Sequence, residues 1–390
     1  MKRVHFIFTI ILLVLLAGCG GGAKRSTDAL ITVDVTKNYP EKELILQDLF
    51  DVEYIALETN DDFVNQGMVM ATGKEIMLVR NRNSDGDIFV YDRNGNALRK
   101  INRKGQGGEE YLYVNKIILD EDNNEMFVNN IGAKKILVYD LYGNFKRGFK
   151  HPDNVSYENI LFFDKDHLIC YDGSVNVKEG EERDGQSFHF IISKQDGSIK
   201  REIYIPFNRI VSHYTFHEEY TIFGMSNDYA IIPYQGNWIF GELSSDTIYN
   251  YLPDGHLSPF IIRTPPILSM EPKRFLLMSN FTDRYYFMDI FRKEVNLETL
   301  AIPANIKLMY DKQEKAIFES IVYNDDYVNK RRESILKTLN DEIAYLRTLD
   351  AYRLVESYKN GELKDGKLKD IAAKLDEEDN PVIMLVKHKR

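Results

Sequence analysis

Cysteine is nearly absent from the chain: two in 390 residues, Cys19 and Cys170. Cys19 belongs to a leader described below, so no internal disulfide framework is possible and the fold must be held by burial alone, for which this length suffices. Cys170 sits in the apolar run His167-Leu-Ile-Cys-Tyr171 and reads as a packed strand residue rather than a reactive thiol. Tryptophan occurs once, at Trp238, beside 24 tyrosines, which weakens a reading as a glycan enzyme built on indole platforms. Clustered positive charge is missing as well. The formal net charge is −10, and the longest basic group, Lys330-Arg-Arg332, is followed at once by Glu333. Nucleic acid is thereby excluded as a partner, because phosphate binding draws on grouped Lys and Arg.

What is present begins with an address. Lys2 and Arg3 precede an apolar stretch, Val4 to Leu16, that is marginal for spanning a bilayer, which takes about 20 residues. Leu16-Ala-Gly-Cys19 closes the stretch and resembles a bacterial lipobox, so residues 1–18 read as a lipoprotein signal peptide, with Cys19 as the lipid attachment site. Loss of Lys2 and Arg3 takes the mature charge to −12. An acidic surface repels anionic headgroups, leaving the lipid as the only membrane contact. Residues 19–31 form a flexible tether, small and polar from Gly20 to Ala29.

From residue 32 the chain repeats. Ile88 to Ile101 returns 48 residues later as Ile136 to Phe149, with seven of fourteen positions identical. Each copy pairs two β-patterned runs across a turn, at Gly95 and Gly143, and further copies turn at Gly197 and Gly255. A fifth copy, Lys307 to Ile317, keeps the Tyr-Asp pair but puts Glu314 in the glycine's place, so its turn must differ. Two further apolar runs lie between hairpins, which makes four strands per period and a β-propeller. A sixth blade is assembled from both ends, with residues 51–57 near the start and a closing strand at about 381–388. This removes the exposed edges that would recruit other chains. Between the fifth hairpin and the closing strand the period turns helical over about 325–377, with Ile335, Leu339, Ile343 and Leu346 on one stripe and a second short helix from Leu368 to Leu375. The expected fold is all-β: a six-bladed propeller over residues 32–390 with a C-terminal helical insertion, its stripe packed on the ring.

Lys104-Gly-Gln-Gly-Gly-Glu-Glu-Tyr111, directly after the first hairpin, resembles the Gly-x-Gly-Pro-Gly-Glu-Tyr signature of the six-bladed β-propeller lipoproteins of Bacteroidetes, relatives of the NHL-repeat propellers. Tyr54-Ile-Ala-Leu-Glu-Thr59, Asp246-Thr-Ile-Tyr249 and Asp379-Asn-Pro-Val382 agree with that family. Gly108-Glu109 stands where the family has Pro-Gly, so the loop lacks its rigid proline. The resemblance implies a lipid-anchored propeller whose signature residues Gly105, Gly107, Gly108, Glu110 and Tyr111 are structural, and it implies no reaction. Lipoproteins sent to the cell surface in the Bacteroidetes typically carry acids just after the lipidated cysteine. This chain has Gly20-Gly-Gly-Ala-Lys-Arg25 there, which favours the periplasmic side of the outer membrane.

No catalytic constellation is expected. Gly105-x-Gly107-Gly108 is not followed by a helix or by Lys-Ser/Thr, as a phosphate loop would be. His213 and His217 sit in a Tyr/Thr/Phe-rich stretch that reads as a strand, where i and i+4 lie roughly 13 Å apart and share no metal. Asp120 to Glu125 lacks the glycine and distal glutamate of a calcium loop and reads as an acidic hairpin turn. No Gly-x-Ser-x-Gly elbow occurs. Neither metal nor cofactor is expected. The function expected is a non-catalytic binding or scaffold module for an unknown protein or small ligand. The alternatives are a hydrolase or lyase acting on a glycan or peptide through a dispersed site, or a structural role with the helical insertion as a docking surface.

Overall fold

The computed structural model describes residues 30–389 apart from 82–84, 184, 218–219, 224–226, 297 and 300. Cys19, the leader and most of the tether lie outside the described residues. Of the seven sheets among the described residues, six surround one axis as blades and the seventh is a two-stranded hairpin. Blade 1 consists of Met68–Thr72, Ile76–Arg80, Asp87–Asp92 and Ala97–Asn102, hydrogen-bonded in that order. Blades 2 to 5 repeat the plan over 116–150, 157–203, 231–264 and 274–324. We letter the strands A to D. Strand A is innermost, since the first strands of blades 1, 2 and 3 touch one another.

Position in the blade explains the residue pattern. Strands B and C are covered on both faces by neighbouring blades, so they run continuously apolar, as in the buried Ile76-Met-Leu-Val79. Strand D lies at the rim, and Phe145–Lys150 alternates half-buried with exposed. Each junction between blades holds a hydrophobic cluster; that between blades 6 and 1 joins Ile55, Met77, Phe89 and Ile383. Fully burying one such side chain contributes about 1.5–3 kcal/mol. Cys170 is wholly buried in the junction of blades 2 and 3, and burial pushes its thiol pKa up.

The repeated Tyr-Asp pair has two structural duties. Tyr91 and Tyr139 each donate a hydrogen bond to a backbone carbonyl of the inter-blade loop, Glu58 O and Glu109 O. Asp92 Oδ1 accepts the N–H groups of Asn94 and Asn96 across the C–D turn, and Asp140 does the same for Tyr142 and Asn144. The turn glycines take positive φ: 89° at Gly95, 87° at Gly143, 71° at Gly197 and 84° at Gly255. In blade 5, Asp311 still accepts from Gln313 and Glu314, but the positive φ moves on to Lys315, at 51°. The left-handed position thus moves one residue along a turn of the same length, which relieves Glu314 of a conformation it resists.

Closure joins the two ends of the chain. Phe50–Ala56 pairs antiparallel with Val382–His388 over seven residues, and Ile343–Leu349 completes the sheet. Asn380 fixes this junction: its side chain accepts from Asn65 N and donates to Glu58 O and Phe63 O, while its own N–H reaches Thr59 Oγ1. The preceding segment forms an outer belt that the sequence pattern does not announce. Ile31–Asp34 adds a parallel fifth strand to blade 4 and Glu41–Ile45 does so for blade 5, covering two edges before the chain enters blade 6.

Helix occupies less of 325–377 than the periodicity suggests. Helices are confined to Ala351–Lys359 and Lys367–Ala372, ahead of the last strand, while Arg331–Glu333 and Ile343–Leu349 are strands. Asn340 is the reason: its Oδ1 accepts the N–H groups of Glu342 and Ile343, a turn that breaks any helix there. The supposed stripe is therefore split. Ile335 and Ile343 are buried, Leu346 is half-buried, and Leu339 is 39% exposed. Residues 334–339 run beside Ile343–Leu349 as an irregular innermost strand, held by Leu339 N–H to Ile343 O and by Arg347 to Ser334 O. Blade 6 thus has three regular strands, B to D. No helix among the described residues is long and apolar enough to cross a membrane.

Candidate functional site

The A–B turns of blades 4, 5 and 6 and the belt enclose a cleft of about 970 Å³ on the face that carries the C–D turns. Its floor is aromatic. The Tyr234 ring lies 4.4 Å from that of Phe281, and its hydroxyl is 3.1 Å from the Tyr286 hydroxyl. Tyr285 adds a further buried ring to the lining. The cleft forms here because blade 6 has an irregular strand A and its residues Thr338 to Asp341 turn back early.

Charges on the lining divide into two groups. Arg284 is committed to structure: with Lys42 it holds the fully buried Asp311 carboxylate, at 2.6 and 2.8 Å. Burial alone would raise the Asp311 pKa, but the hydrogen bonds from Arg284, Lys42 and the backbone of Glu314 and Gln313 outweigh it and keep the group well below the usual carboxylate range. Lys330 is 3.6 Å from Glu43. Asp48, Asp283 and Asp341 have no ion-pair or hydrogen-bond partner for their carboxylates among the described residues and face the cleft free. His388 also lines it. Burial lowers its pKa, while the Asp341 charge and the backbone of Asn340 and Phe281 act in the other direction. No hydrogen bond joins the imidazole to a carboxylate among the described residues, so no acid–base pair is aligned.

The residues singled out in the sequence serve the frame. Glu110 folds back so that its carboxylate accepts Gly107 N–H, and a Cβ on Gly105 would lie 2.0 Å from that same carboxylate. Tyr111 donates to Gly86 O and accepts from Arg103 N. Gly108 has open space around it. This loop links blades 1 and 2. In the acidic turn, Glu121 accepts Ile76 N–H of blade 1, Asp120 pairs with Lys194, and Glu125 pairs with Arg147 and Lys146. Those cations, Arg147 foremost, hold Glu125 down to about 2. Tyr214–His217 is a strand, in a hairpin with Tyr220–Phe223. Among the described residues no three His, Cys, Asp or Glu side chains gather to hold a metal. The cleft residues were missed because they come from three blades and the belt, each in an unremarkable turn. The one available signal was the loss of the turn glycine at Glu314.

No curated protein matches the chain. Among solved structures, a putative exported protein from Bacteroides fragilis is 16% identical, with a TM-score of 0.60, over 93% of this chain and 100% of that one. A member of the DUF4221 family from Bacteroides vulgatus is 10% identical over 87% and 99%, with a TM-score of 0.46. Virginiamycin B lyase from Staphylococcus aureus is 12% identical over 66% and 73%, at 0.35. At 16% identity the likeness to the Bacteroides fragilis protein concerns the fold alone. The family model "Domain of unknown function (DUF4934)" matches residues 30–387, the whole of the ring and its belt, and the chain belongs to that family.

Proposed function

We propose that this protein is a non-catalytic binding propeller of the bacterial envelope, anchored by a lipid on Cys19 to the periplasmic side of the outer membrane, with its ligand seated in the cleft of blades 4 to 6. The cleft carries the reading: an aromatic floor beside three free carboxylates suits a polar ligand, neutral or cationic, of oligosaccharide or short-peptide size. A rigid ring with a variable rim suits that role. The lipobox pattern and the exported relative support the address. The test is a thermal-shift panel of neutral oligosaccharides and short Lys-containing peptides, run on the wild type and on Asp283→Lys/Asp341→Lys. A midpoint raised only in the wild type, with the ligand recovered unchanged, is expected. A panel without effect, or a shift equal in both proteins, sinks the cleft as the site. Conversion of the ligand would move the reading to a hydrolase or lyase.

A further inference from the structure

The cleft of blades 4 to 6 carries a charge pattern that narrows its ligand further than its size does. Four carboxylates line it, on Glu43, Asp48, Asp283 and Asp341, and so do the cations Arg284, Lys330 and Lys389. Arg284 is taken up by the buried Asp311 and Lys330 lies at Glu43, while Lys389 is exposed next to the end of the chain. Asp48, Asp283 and Asp341 are left to act on whatever enters. Each is carried on a short, bonded turn. Around Asp283, Thr282 N–H donates to Tyr285 O at 2.8 Å and Tyr285 N–H donates to Thr282 Oγ1 at 2.9 Å. Asp341 follows Asn340, whose Oδ1 accepts from Glu342 and Ile343, and Asp48 sits on the one-turn helix Leu46–Leu49, anchored by two buried leucines. Blade 5, blade 6 and the belt thus present these three acids before a ligand arrives, which spares the ligand the cost of ordering them.

Two further observations concern the same lining. Thr338 is 2% exposed and its N–H is bonded to Ser279 O, yet its Oγ1 has no hydrogen-bond partner among the described residues. Buried hydroxyls are as a rule paired, and this one is able to accept from a donor that enters the cleft. The Tyr234 and Phe281 rings, 4.4 Å apart and tilted by 37°, are backed by Phe260 and Tyr286. Such ring faces attract a cation and also pack against the apolar stem that carries it. An ammonium on an alkyl chain uses the acids, the hydroxyl and the rings together. A neutral sugar leaves the charge of the three acids uncompensated.

On the reading of the cleft as the ligand site, we propose that it selects an alkylammonium group. The stem lies on Tyr234 and Phe281, the charge is shared by Asp48, Asp283 and Asp341, and Thr338 Oγ1 accepts one N–H. Lysine side chains of a peptide and free polyamines both supply this chemistry.

Calorimetric titration of the full chain at low salt tests this, with trilysine capped at both ends, the same peptide acetylated on every Nε, spermidine and the neutral oligosaccharides as parallel arms. Trilysine or spermidine should bind at one site, the tighter of the two naming the source, and binding should weaken as salt rises. The acetylated peptide should bind at least tenfold more weakly than trilysine. Asp283→Asn/Asp341→Asn should weaken the tighter amine at least tenfold. Thr338→Val should weaken it several-fold without lowering the unfolding midpoint, since it removes an unpaired hydroxyl. Acetylated peptide bound as tightly as trilysine, amine binding unchanged in the double variant, or an oligosaccharide bound where neither amine is, overturns the ammonium and leaves the cleft as the ligand site. If no probe of either kind binds, the cleft itself falls and the ammonium with it. Should Thr338→Val fail to fold, trilysine against its acetylated form in the wild type still decides.

Discussion

Blades 1 to 3 and blades 5 to 6 solve one packing problem in two ways. In blades 1 and 2 the chain repeats itself and its recurring polar groups close on neighbours: Tyr91 and Tyr139 hold loops, Asp92 and Asp140 cap turns, and Glu125 is clasped by Arg147 and Lys146. In blades 5 and 6 the turn glycine is replaced, strand A of blade 6 is irregular, and belt and helices fill the rim. The free carboxylates of the cleft lie there. The regular sector stabilises the ring, and the irregular one has groups left over for a ligand.

The comparison breaks most severely where the two sectors meet. Ile383 is fully buried in the junction of blades 6 and 1, on the strand that bonds the N-terminal Phe50–Ala56. Ile383→Asp should cost roughly 4 kcal/mol or more, since an unpaired charge replaces core packing. Loss of one cooperative transition in thermal unfolding is expected, and a transition left intact would mean that blade 6 is dispensable. Gly95→Ala strikes the same junction from the regular side. Its φ of 89° disfavours a side chain, and the new Cβ would lie 2.1 Å from Ala56 O. A loss of about 2 kcal/mol or more should appear in urea unfolding.

Acid should separate the sectors next. His151 and His189 are buried in blades 2 to 4, and burial pushes their pKa values down to about 4 and about 3. The unfolded chain, with histidine near 6.5, then binds protons first as pH falls. Stability is full above about pH 6.5 and declines below it, until the folded histidines themselves protonate near 4 and 3. At pH 5 each should cost roughly 2 kcal/mol relative to pH 7.5. His189 Nε2 has no partner among the described residues, while the ring also bonds the Ala230 backbone, so His189→Phe should remove about half of the slope at a cost of about 1 kcal/mol at neutral pH. An unchanged slope would place the acid sensitivity elsewhere. In blade 5, Lys315→Gly should stabilise by about 0.5 kcal/mol, since φ of 51° is strained for lysine and free for glycine.

The regular sector was legible because repetition writes one solution several times. The Ile-x-Val-Tyr-Asp pattern of Ile88 and Ile136, followed by Gly-Asn, specifies a strand, a pillar and a capped turn in local terms, and counting copies then gives the ring. Closure was legible too, because residues 51–57 and 381–386 were strands without partners. The belt was not, since Ile31–Asp34 and Glu41–Ile45 are short and pair in parallel with strands more than two hundred residues away. Nor was the split of the helical stretch, because spacings of three and four also fit alternation interrupted by a turn at Asn340. The cleft was hidden for a third reason. Asp283 and Asp341 are ordinary surface-type residues in sequence, and only the arrangement of blades leaves them facing an enclosure.

Leu339 gives the smallest expected effect and the sharpest reading of the irregular sector. If residues 325–349 were the amphipathic helix that the spacing suggests, Leu339 would sit mid-stripe, and Leu339→Asp would expose or disrupt a core contact at a cost of about 1.5–3 kcal/mol. In the structure Leu339 is 39% exposed at the turn closed by Asn340, with its backbone N–H bonded to Ile343 O and its side chain outside the interior clusters. Leu339→Asp should then shift stability by less than about 0.5 kcal/mol. Its neighbours Thr338, Asn340 and Asp341 line the cleft, so the added charge should be felt by a cleft-bound ligand while the unfolding midpoint stays in place. A midpoint lowered as far as a core substitution would lower it restores the helix and removes the irregular strand on which the cleft depends.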